Sequence, residues 1–164
     1  MTQAFPPFDQ LAERHRPELL GYLVRLLGDV HGAEDVCQDT LLRAYRAYGR
    51  LKPGSNTRAW LYKIATNTAF TALKHRKRRL AHSADVDLDR LLADPPAPLD
   101  PRDQMQVIRS AVEGLPPKQR AALMLRHFQG LSYSEIAVSL GGTETAARAN
   151  VYQAIRRLRE ALAE

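Results

Sequence analysis

Between residues 94 and 101 the chain reads Asp-Pro-Pro-Ala-Pro-Leu-Asp-Pro. Proline lacks the amide hydrogen, its ring clashes with the preceding turn, and it pushes the residue before it out of the helical region. No continuous helix crosses such a stretch. On both sides of it apolar residues recur with the 3.6-residue period of a helix. Strand signals are nearly absent: no alternating β-branched run and no hairpin dipeptide between such runs. Structureless loops beyond about 15 residues are uncommon inside compact domains. Residues 81–101, which also carry Asp85, Asp87 and Asp89, therefore read as a linker. The expected fold is all-α, with two small helical domains, 1–80 and 102–164, joined by this Pro/Asp-rich linker. A length of 164 residues suits that division.

In the first half, Phe8, Ala12, His15, Leu19, Leu23 and Leu26 share one face of a helix that Gly28 ends. Pro17 is expected to kink or split it. A second helix is expected from about His31 to Tyr48, with Cys37, Leu41, Ala44 and Tyr48 as its buried stripe. A third runs from about Thr57 to Arg79, burying Trp60, Leu61, Ile64, Ala65 and Ala72. In the second half, helices are expected from about Arg102 to Glu113, from Pro117 to near Gln129, and from Tyr133 to Leu140. Ser132 and Glu135 have the spacing of a capping box before the third of these. Gly141 and Gly142 follow, then Thr143 as an N-cap. The last helix runs to about Leu162, with Ala147, Val151, Ala154, Ile155, Leu158 and Leu162 as its stripe.

Charge is unevenly placed. The net charge is +6, yet residues 51–80 hold eight basic side chains and no acidic one. Residues 81–114 hold three basic and seven acidic, and residues 115–164 seven and four. Two basic blocks flanking an acidic stretch point to a polyanion rather than a mere solubility feature, with nucleic acid the first candidate and a membrane surface second, though no basic segment ends in the bulky apolar face that such a surface would need.

A short helix, a glycine turn and a longer helix between Ser132 and Arg159 describe a helix-turn-helix, whose second helix enters the major groove. Its outer face offers Thr145, Arg148, Ala149 and Gln153, with Arg156 and Arg157 farther along for phosphates. Arg reads guanine and Gln reads adenine by paired hydrogen bonds. The third helix presents Lys63, Asn67, Phe70 and Lys74 on one face. Cation, amide and aromatic together hold a single strand by phosphate contact, edge recognition and stacking. Lys74, His75, Arg76, Lys77, Arg78 and Arg79 then follow without a break; at a helix end they also favour the dipole.

No catalytic constellation is visible, so the chain is not read as an enzyme, and neither a small-molecule substrate nor a cofactor is expected. Five scattered histidines and one cysteine give no metal-ligand spacing. Cys37 reads as a small core residue and Ser132 as a cap. No run approaches the roughly 20 apolar residues of a membrane span, and no signal peptide is evident. A cytoplasmic location without membrane insertion is expected.

Three segments carry a family resemblance. Residues 33–45, Ala-Glu-Asp-Val-Cys-Gln-Asp-Thr-Leu-Leu-Arg-Ala-Tyr, resemble the core-polymerase-binding helix of bacterial extracytoplasmic-function sigma factors. Residues 60–67, Trp-Leu-Tyr-Lys-Ile-Ala-Thr-Asn, with the basic run after them, resemble that family's promoter-melting helix. Residues 115–120, Leu-Pro-Pro-Lys-Gln-Arg, and 131–137, Leu-Ser-Tyr-Ser-Glu-Ile-Ala, resemble its C-terminal DNA-binding domain. The three occur in the family's order, with a linker in the right place.

The resemblance implies a dissociable initiation subunit of RNA polymerase, with core polymerase, promoter DNA and an anti-sigma factor as partners. Asp35, Gln38, Asp39 and Arg43 match the core-binding motif, and Leu42 lies on the same face. Asn56 matches the loop that captures a flipped base of the minus-10 element. Lys63 and Asn67 match residues near the melted strand, with Phe70, Lys74, Arg76 and Lys77 continuing that surface. Arg148, Ala149 and Gln153 match base-proximal positions at the minus-35 element. Thr143, Thr145, Arg156, Arg157 and Arg120, which closes the Leu115-to-Arg120 motif, complete the minus-35 candidates. The family often has Ser at position 149 and Arg at positions 150 and 153, where this chain has Ala149, Asn150 and Gln153, which implies a weaker phosphate grip or a different preferred sequence. Two other classes remain: a sigma-like decoy that titrates an anti-sigma factor, and an autonomous helix-turn-helix repressor.

Overall fold

A computed structural model describes residues 5–82 and 101–163. Among them are seven helices: α1 (Phe8–Leu27), α2 (Val30–Tyr48), α3 (Thr57–His82), α4 (Pro101–Glu113), α5 (Pro117–His127), α6 (Tyr133–Leu140) and α7 (Glu144–Ala163). Most of the expected linker, with Asp85, Asp87 and Asp89, lies outside the described residues.

Local chemistry sets the ends. Asp29 caps α2, its carboxylate accepting from the amides of His31 and Gly32. Pro117 opens α5, where a missing N–H costs nothing. Ser132 and Glu135 close their capping box around the start of α6. Gly28 ends α1 at φ +70°, a left-handed conformation that L side chains rarely adopt. A Cβ there would also lie 2.9 Å from the Glu113 carboxylate. The expected break at Pro17 does not occur, and α1 runs through it. Pro17 is exposed, so the carbonyl it leaves unpaired can meet water, while Leu19, Tyr22 and Leu23 anchor the next turn in the core.

α1, α2 and α3 pack together, as do α5, α6 and α7, with α4 against α7. These are the two expected helical domains, and they touch. α6 lies on α3 and α5 touches α1, and one apolar core runs through both halves, from Leu19, Leu23 and Leu61 to Leu125, Leu131 and Ile136. Burying such side chains contributes roughly 1.5–3 kcal/mol each. Tyr22 and Tyr62 are fully buried, ring edge to face at 5.3 Å. Tyr22 shares a 2.8 Å hydrogen bond with Thr66. Thr40 donates to the Val36 carbonyl, so these buried hydroxyls are partnered. Leu162 departs from the expected stripe of α7: on the last turn of the helix it is exposed.

Arg120 departs further. It is 9% exposed, not part of an open surface. Its guanidinium donates to the backbone carbonyls of Leu26 (3.1 Å), Leu115 (3.2 Å) and Glu113. Burial lowers its pKa, opposed by the Glu113 carboxylate. It spans the two halves and caps the C-terminal end of α1, where positive charge is favoured. Arg120→Ala strips charge-assisted bonds from three carbonyls, those of Leu26 and Leu115 in buried settings. It is expected to cost about 2–3 kcal/mol, read as a lower urea midpoint at unchanged slope.

Candidate nucleic-acid interface

Three surfaces hold the candidate residues. On α2, Asp35, Gln38, Leu42 and Arg43 are exposed and Asp39 is half-buried. Asp39 and Arg43 pair across one turn at 3.2 Å. They border a groove with Thr68, Thr71 and His75 of α3. Tyr45, 64% exposed, extends the apolar strip begun by Leu42. Its spacing of three from Leu42 marked it as a surface neighbour, and sequence reading passed over it.

On α3, Asn56 is the N-cap: its side-chain oxygen accepts from the Ala59 amide at 3.0 Å. Lys63, Asn67, Lys74 and Lys77 are exposed along the helix. Phe70 is not a free stacking platform; it is half-buried and packs against the core. Arg76 is also held, donating to the Leu27 carbonyl (3.2 Å) and to Asp29 (3.3 Å) at the α1–α2 junction. The cationic end of α3 therefore rests on Lys74, Lys77, Arg78 and Arg79, the last two lining a surface depression with His75 and His82.

On α7, Thr143 caps the helix by accepting from the Ala146 amide. Thr145, Arg148, Ala149, Gln153, Arg156 and Arg157 are all exposed. Arg148 is held from two sides: Glu144 accepts from it at 2.8 Å, and its guanidinium lies 5.1 Å from the Tyr133 ring centre. Arg126 lies 4.3 Å from the same ring. Arg156 pairs with Glu160 at 3.2 Å. Tyr152, 68% exposed, stands one turn beyond Arg148; the same i, i+4 spacing made it findable from sequence.

A fourth group went unread. Arg58, in the first turn of α3, donates twice to Glu18 of α1 at 3.1 Å and once to the Gln129 carbonyl at 2.6 Å. Gln129, after α5, donates in turn to the Glu18 carbonyl (2.7 Å) and the Tyr62 hydroxyl (2.8 Å). Asn56 donates to Glu135 of α6 at 3.0 Å. Burial pulls the Glu18 carboxyl up, but bonds from Arg58 and His15 outweigh it and leave it below its ordinary value. Glu135 is also held low, first by the Ser132 amide and then, against slight burial, by Asn56. Cys37, on the inner face of α2, is buried, and burial pushes its thiol pKa up.

With this geometry in place, the relatives are informative. Residues 11–79 match the family described as Sigma-70 region 2, and residues 105–158 match Sigma-70, region 4. The chain is 32% identical over 98% of its length to the ECF RNA polymerase sigma factor SigE of Mycolicibacterium smegmatis, of which it spans 63%. It is 34% identical over 94% of its length to the RNA polymerase sigma-H factor of Pseudomonas aeruginosa, spanning 86% of that protein. Its fold is similar to that of the sigma factor RpoE in complex with the anti-sigma factor NepR from Bartonella quintana. The TM-score there is 0.74 at 28% identity, covering 94% of this chain and 96% of that one. The chain belongs to the ECF sigma factor family. Among the described residues no helix is long and apolar enough to cross a membrane.

Glu18 gives a pH signature. Its folded pKa lies below the ordinary 4.5, so its contribution to stability is complete above that pH. The contribution is lost as pH falls through the lower, folded value. Urea midpoints measured from pH 6 down to 3.5 should fall less steeply for Glu18→Gln than for the parent chain, after a lower start at pH 6.

Proposed function

We propose that this chain is an alternative sigma factor: it binds bacterial core RNA polymerase and directs initiation by reading minus-10 and minus-35 elements. One observation carries the reading. The chain pairs an exposed recognition-helix face on α7 with an exposed cation-and-amide row on α3, on two segments that match the two DNA-reading regions of one family. Phosphate contacts position such a protein and base contacts specify the site.

In this reading Asp35, Gln38, Asp39, Leu42 and Arg43, joined by Tyr45, form the face offered to core polymerase. Asn56, Lys63, Asn67, Lys74 and Lys77 take the melted minus-10 strand. Unpairing a base costs a few kcal/mol, which the pocket must repay. Thr145, Arg148, Ala149 and Gln153 face the minus-35 bases, Tyr152 lies among them, and Arg156 and Arg157 take phosphates. Glu144 and Tyr133 hold Arg148 in place before DNA arrives, which lowers the cost of ordering it. The chain performs no chemistry of its own, works in the cytoplasm and takes an anti-sigma partner.

Purified core polymerase transcribing fragmented genomic DNA, with and without this protein, tests the proposal by sequencing transcript starts. New starts that share two upstream elements at fixed spacing support it. Their absence, with the core validated by another sigma factor, removes it. Arg148→Ala is expected to weaken minus-35 recognition by about 1–3 kcal/mol, measured as lost discrimination between good and mutated elements. Asn67→Ala should slow promoter opening, followed by permanganate reactivity, while core affinity stays unchanged.

A further inference from the structure

The face of α2 assigned to core polymerase ends on its one aromatic side chain, Tyr45, which is 64% exposed. Exposed aromatic rings make good anchors for a partner. They do so at least cost when the ring is held before the partner arrives, because ordering a free side chain on binding is unfavourable. Among the described residues one ring meets Tyr45. It is Phe8, at the start of α1, edge to face at 5.5 Å.

Phe8 is itself held. Its ring meets Tyr48 edge-on at 5.4 Å, and Tyr48 lies 5.9 Å from Phe5 and 6.2 Å from Trp60. The Tyr48 hydroxyl donates to the Pro6 carbonyl. Pro6 and Pro7 fix two backbone angles between the two phenylalanines, and Pro7 stands extended at φ −54°, ψ 142°. No side chain caps this end of α1; the amides of Gln10 and Leu11 turn back to the Pro7 carbonyl at 3.1 and 3.3 Å. Residues 5–8 therefore form a strap over the last turn of α2, both prolines exposed and both phenylalanines half-buried. Phe8, Tyr48 and Trp60 pack against the core, whereas Tyr45 has no place in it. The contact of Phe8 with Tyr45 thus acts on a ring that faces outward.

We propose that this strap is a positioning element of the core-polymerase face: Phe8, locked by Tyr48, holds the Tyr45 ring beside Leu42 ready for the polymerase. The proposal rests on the sigma reading of α2. Phe8 and Tyr48 act through Tyr45 and make no contact with the polymerase themselves.

Dissociation constants of the full chain with purified core polymerase test it, arranged as a double-mutant cycle. Phe8→Leu keeps an apolar side chain on the core and removes the ring edge. It should weaken binding about two- to tenfold, the worth of one aromatic pair. Tyr45→Ala should weaken binding at least as much, and adding Phe8→Leu to it should change nothing further. Tyr48→Phe keeps every ring and deletes only the bond to Pro6; it should weaken binding about twofold, again only where Tyr45 is present. Should Phe8→Leu fail to fold by circular dichroism, Tyr48→Phe and its own cycle with Tyr45→Ala decide. Wild-type affinity in the folded variant overturns the strap. So does a loss that persists undiminished beside Tyr45→Ala, which would make Phe8 a support of α2 alone. A wild-type chain that does not bind core, with the core validated by another sigma factor, removes the sigma reading and the role of the strap with it.

Discussion

The guanidinium of Arg58 gathers what the rest of the molecule depends on. It pairs with Glu18 of α1, faces the Tyr62 ring at 5.6 Å and hands a proton donor to the Gln129 carbonyl. Planar donors in a rigid fork can satisfy a carboxylate and a carbonyl at once, which an ammonium on a flexible stem does less well. Arg120 does the complementary work at the other end of α1. Between these two arginines the first helix is fixed to both halves, and the apolar core is continuous across them. The exposed cations on α3 and α7 are then spared structural duty.

Much of this was legible in the sequence. Helix ends were written in Gly28, Pro117 and the Ser132–Glu135 box, all local chemistry, while the Asp29 cap of α2 was not read. The helix-turn-helix was legible because its cap, turn and stripe sit within thirty residues. What stayed hidden was the packing of one half on the other. Arg58, Gln129 and Arg120 find partners 40 to 111 residues away, and no periodicity encodes such a meeting. A basic residue in a basic block gives no sign of which carbonyl it faces, so the bonds of Arg120 to Leu26 and of Arg76 to Leu27 were not legible. Phe70 looked like a stacking ring because the stripe of α3 is wider than a strict period suggests, taking in Tyr62, Thr66 and Ala69.

Family membership and geometry also constrain each other. The matched regions stop at residue 79 and resume at 105, so they are silent on how the halves meet. The likeness to RpoE in complex with NepR spans both matched regions; in the present chain side chains of each half bond to groups of the other.

Glu135 holds the start of α6 and the Asn56 amide with the same carboxylate. A residue that answers to a neighbour three positions away and to another 79 positions away is not free to drift alone. Positions 56, 58, 129 and 135 should therefore vary together through evolution. A chimaera that grafts α5 to α7 from a relative onto this N-terminal half would inherit a mismatched seam, however well each piece folds. The two halves look modular in sequence, but at this seam they are co-inherited.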